Sequence, residues 1–62
     1  MMELVKRKIE NTIQYDEGLI EIIESELAKK DIRQEYRERL LTDKYNLLNK
    51  IDRLKAELEE LQ

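Results

Sequence analysis

The 62-residue chain has no cysteine, no histidine, no tryptophan and no proline, and its one glycine is Gly18. Without Cys or His there is no disulfide framework, no thiol nucleophile and no zinc-type ligand set. Apolar residues come in short runs such as Ile22-Ile23, Leu40-Leu41 and Leu47-Leu48, far below the roughly 18 residues that a membrane span needs. A signal peptide is not in evidence either, because Glu3 and the basic segment Lys6, Arg7, Lys8 leave too short an apolar stretch between them. The expectation is a soluble, cytoplasmic protein without membrane association.

What the chain does contain is charge, at 44% of its residues, together with abundant Leu, Ile, Glu, Lys and Arg. That composition belongs to long helices and leaves no room for extended sheet. Twelve basic and 15 acidic side chains give a net charge of −3, which favours solubility and argues against nucleic acid as a partner. Glu3 and Arg7, Glu26 and Lys30, and Glu35 and Arg39 stand in the acid-first i, i+4 order that supports a solvated helix face by a few tenths of a kcal/mol per pair.

A heptad frame with Met2 at position a puts Val5, Thr12, Leu19, Leu40, Leu47, Leu54 and Leu61 at d and Ile9, Asp16, Ile23, Ile51 and Leu58 at a. The pattern fails over the core positions Glu26, Lys30, Arg33 and Arg37. A continuous coiled coil would stack those charges on their own copies, so the chain is expected to turn there. Lys29 and Lys30 suit a helix C-terminus, and Asp31 followed by Gln34 resembles a capping box. The expected architecture is all-α: an antiparallel hairpin of two long helices, near residues 2–29 and 32–61, with the turn near residues 29–32 and residues 1–62 forming one unit.

Antiparallel register then pairs Ile9 with Leu54, Thr12 with Ile51, Asp16 with Leu47, Leu19 with Lys44, Ile23 with Leu40 and Glu26 with Arg37. On one side of this seam, the e flank, Ile13, Ile20 and Leu27 of the first helix lie beside Leu41 and Leu48 of the second, with Tyr45 nearby. The g flank, with Tyr15, Ile22, Tyr36, Asp43 and Lys50, is mixed. The e-flank stripe needs a cover, so Ile13, Ile20, Leu27, Leu41, Tyr45 and Leu48 are the expected interface of a homodimeric four-helix bundle or of a second protein. A parallel zipper on Leu40, Leu47, Leu54 and Leu61 competes, but it sets Lys50 against Lys55 of the other helix.

Chemistry finds little purchase. Glu21 with Glu24 and Glu57 with Glu60 put two carboxylates on one helical face, as di-metal bundles do, but the accompanying Glu-x-x-His is missing. No catalytic residue, metal ligand or cofactor is expected, and the chain is read as a non-enzymatic interaction module: an adaptor, inhibitor or oligomerisation unit. The layout is similar in architecture to Rop-like helical-hairpin dimers and to short sporulation-regulator hairpins. The Rop-like likeness implies an alternative, nucleic-acid binding through Lys6, Arg7 and Lys8. A further alternative is a coiled-coil piece of a longer structural protein, since Met1-Met2 suits either a short reading frame or an added start.

Overall fold

The computed structural model describes residues 2–61. Met1 and Gln62 lie outside the described residues, as does the part of the single-unit expectation that falls on them. Helix α1 runs over Met2–Leu27 and helix α2 over Gln34–Glu60. They pack as an antiparallel hairpin whose Cα envelope measures 48 × 14 × 11 Å. Glu, Lys, Arg and Leu favour the helix in both segments, the β-branched residues of α1 being those that pack inward or line its apolar flanks, and no proline interrupts either.

The turn lies over residues 28–33, wider than expected from the sequence. Helix α1 closes by tightening: the Ala28 amide donates to Glu24 O at 3.0 Å, and the Lys29 amide to Glu26 O at 3.1 Å, one residue short of the helical step. No residue here needs positive φ, which explains why the turn works without a glycine. Asp31 does not cap α2. The N-cap is Arg33, in extended conformation at φ −68° and ψ 149°, and it makes no side-chain cap bond. Its carbonyl accepts the first bond of the helix from the Arg37 amide at 3.0 Å, which places Asp31 two residues upstream of the cap.

Arg37 does more than begin the helix. Its guanidinium donates from Nη1 to Leu27 O at 3.1 Å and from Nη2 to Lys29 O at 3.2 Å. The Leu27 carbonyl is the last of α1, with no partner within its own helix, and that of Lys29 lies in the turn just beyond. The expected Glu26–Arg37 pair is therefore absent: Glu26 takes Lys29 at 3.2 Å, and Arg37 clips the end of α1 to the start of α2.

The core between the helices is narrow. Ile13, Ile20 and Ile51 are buried together, with Ile9, Leu47 and Leu54 packed against them, and Leu40 is buried nearer the turn. In α2 the inward residues Arg37, Leu40, Lys44, Leu47, Ile51, Leu54, Leu58 and Leu61 keep the expected a and d frame. Helix α1 does not. Its buried residues are Ile13, Asp16 and Ile20, at a and e positions, with Ile9, Ile23 and Leu27 half-buried on the same stripe, while at d Val5 is exposed and Thr12, Leu19 and Glu26 are no more than half-buried. The stripe is turned by about 50° at 100° per residue. Thr12, expected opposite Ile51, instead donates its hydroxyl to Lys8 O at 3.0 Å on its own helix.

Candidate interaction surface

The rotation of α1 redistributes the expected interface. Ile13 and Ile20 are covered by the hairpin itself and Leu27 is half-buried, which corrects the expectation that these side chains lack cover within one hairpin. On α2, Leu41, Tyr45 and Leu48 stay open, at 50%, 65% and 43% exposure. They stand at i, i+4 and i+7, so they form one stripe along the helix. On its α1 side Glu24 reaches across to Lys44 at 3.0 Å.

The same rotation turns the g positions of α1 outward on the other flank and shifts its d positions toward that side. Tyr15 and Ile22 are exposed at 68% and 62%, and Leu19 is half-buried. Leu19, Ile22 and Ile23 face Asp43, Asn46, Leu47 and Lys50 of α2 across an open groove of about 450 Å³, with Tyr15 one helical turn before Leu19 on the same face of α1. The sequence frame describes this flank as mixed, because it counts apolar residues at g alone. The spacing Tyr15, Gly18, Leu19, Ile22 is the signal that would have found it.

One turn from the groove's Leu19, Asp16 is the most buried polar residue described, at 1% exposure, on the helix stripe that carries Ile13 and Ile20. The Nζ of Lys50 lies 3.2 Å from its Oδ2. The contact is an ion pair by distance whose angles fall outside hydrogen-bond geometry, so Oδ2 has no hydrogen-bond donor among the described residues. Lys50 keeps about half of its side chain in water. A carboxylate held this way is a cost offset in part by one cation.

Lys6, Arg7 and Lys8 follow one another on a helix, where successive side chains diverge by 100°. Lys6 is half-buried beside the seam while Arg7 and Lys8 are exposed, so the three do not form one basic face. Among the described residues no group of three acidic, His or Cys side chains is gathered as a metal site would need, and no described helix is long and apolar enough to cross a membrane. No known protein family matches the chain, and comparison with curated proteins and with solved structures finds no match.

Proposed function

We propose that the chain is a non-enzymatic protein-interaction module, an adaptor, inhibitor or oligomerisation unit that acts by presenting an apolar helix face. The observation that carries this reading is the stripe Leu41, Tyr45, Leu48, left open on α2. Anchors at i, i+4 and i+7 are the pattern by which one helix is read by the groove of another protein. A tyrosine in the middle adds a large, stiff contact with a polar tip.

Self-association belongs to the same reading. In a chain this short one core rarely supplies more than about 3 to 5 kcal/mol, and among the described residues four apolar side chains are buried. A homodimeric four-helix bundle would extend that core. The remaining e-flank residues and the g-flank groove are the two faces on which it can form.

A photo-crosslinking side chain at Tyr45 tests partner recognition in the source cell. The expected result is one dominant adduct that disappears when Leu41 and Leu48 are both changed to Glu, with helix content unchanged. An adduct that survives the double change would mean that the stripe is not the recognition face.

A further inference from the structure

We propose that the groove on the g flank is covered by a second copy of this chain, docked across a two-fold axis that crosses α1 between Gly18 and Leu19 and α2 between Asn46 and Leu47. The reasoning begins with two quartets. Tyr15, Gly18, Leu19 and Ile22 on α1, and Asp43, Asn46, Leu47 and Lys50 on α2, each have the i, i+3, i+4, i+7 spacing that outlines a hole on a helix surface. The two quartets lie at the same level of the hairpin, because Leu19 and Ile22 line one groove with Asp43, Asn46, Leu47 and Lys50, and Asp16 meets Lys50 one turn further along.

A two-fold axis perpendicular to the helices, through the centres of both quartets, serves each at once. It sets Tyr15 against Ile22 of the second copy, and Ile22 against its Tyr15. On α2 it sets Asp43 against Lys50 of the second copy, and Lys50 against its Asp43. A surface that is apolar on one helix and carries opposite charges one heptad apart on the other is complementary to itself under this operation. Lys50 would then bridge two carboxylates, its own buried Asp16 and Asp43 of the second copy. At the rim the axis also brings Arg39 near Arg53, an exposed like-charge contact that solvent weakens.

Gly18 points the same way. It lies mid-helix without positive φ, and a Cβ built there meets nothing within 4 Å. One hairpin thus gives no reason for the residue that most weakens a helix interior after proline. At the corner of the hole through which a neighbouring helix approaches, the missing side chain has a use.

This inference rests on the interaction-module reading for its premise that apolar faces are there to be covered, but it concerns a different face. Because the chain has no cysteine, single cysteines give clean cross-links. Mixing Tyr15→Cys with Ile22→Cys chains should give an oxidised mixed dimer. Tyr15→Cys alone should not, since two copies of that position stand about 10 Å apart at 1.5 Å rise per residue. In sedimentation equilibrium the parent should be a dimer, Asp43→Lys should weaken it by about tenfold or more, and Ile22→Glu should dissociate it while leaving α1 helical by NMR. Leu41→Glu with Leu48→Glu should leave the dimer intact, so loss of partner capture there and loss of the dimer here are separate results. A monomeric parent, or a dimer that tolerates Ile22→Glu and cross-links through Leu48→Cys, would overturn the proposal.

Discussion

The Asp16 carboxylate lies on the α1 stripe that carries Ile13 and Ile20, at 1% exposure, with a single cation at 3.2 Å. Replacing such a group by an apolar side chain of similar size is often neutral or stabilising by about 1 to 4 kcal/mol, whereas removing only its partner leaves a buried charge alone. Asp16→Leu should therefore raise the melting temperature, and Lys50→Met should lower it. Thermal unfolding followed by circular dichroism checks the two signs, and a lower melting temperature for Asp16→Leu would show that the carboxylate stabilises the fold. One benefit of Asp16 would be specificity: with Leu in its place the seam of α1 reads as an unbroken aliphatic stripe, on which slipped registers cost less.

At the level of the elements, the turn is held by Arg37 and not by Asp31. Charge-assisted bonds to two otherwise orphaned carbonyls, at 3.1 and 3.2 Å, are worth roughly 1 to 3 kcal/mol each before discounting for their partial exposure. Arg37→Met should accordingly destabilise the hairpin clearly in urea titration. Asp31→Ala should fall well short of the roughly 1 kcal/mol that loss of a true N-cap costs; a full cap-sized loss would return Asp31 to that role. The two helices, their lengths and the reversal were legible in the sequence because charged residues at consecutive core positions can be avoided only by turning. The seam of α2 was legible as well, since its leucines at d admit one phase. That of α1 was not, because one count was made to serve both helices, and the six non-helical residues between them have no reason to preserve it. Taken alone, the e positions Ile13, Ile20 and Leu27 complete a more apolar stripe with Ile9 and Ile23 than the d positions Thr12, Leu19 and Glu26 do. Counting α1 by itself would have put Ile13 and Ile20 inside and left Tyr15 and Ile22 outside.

For the whole molecule, burial is graded along the rod. Met2, Leu4 and Val5 are exposed at the end where both chain termini emerge, while the buried residues lie from Ile13 toward the turn. Few buried contacts mean low local stability, so amide hydrogen exchange should be fastest over the first two turns of α1 and slowest around Ile20 and Ile51. Uniform protection would mean that the hairpin opens only as one unit. The antiparallel layout also gives the rod a mechanical direction. A load applied between the two termini acts across the helix pair and peels it one layer at a time, beginning where Val5 already lacks cover. Load between either terminus and the turn runs along one helix and is borne by that helix's own backbone hydrogen bonds, so the seam that yields like a zipper in one direction is left almost unloaded in the other.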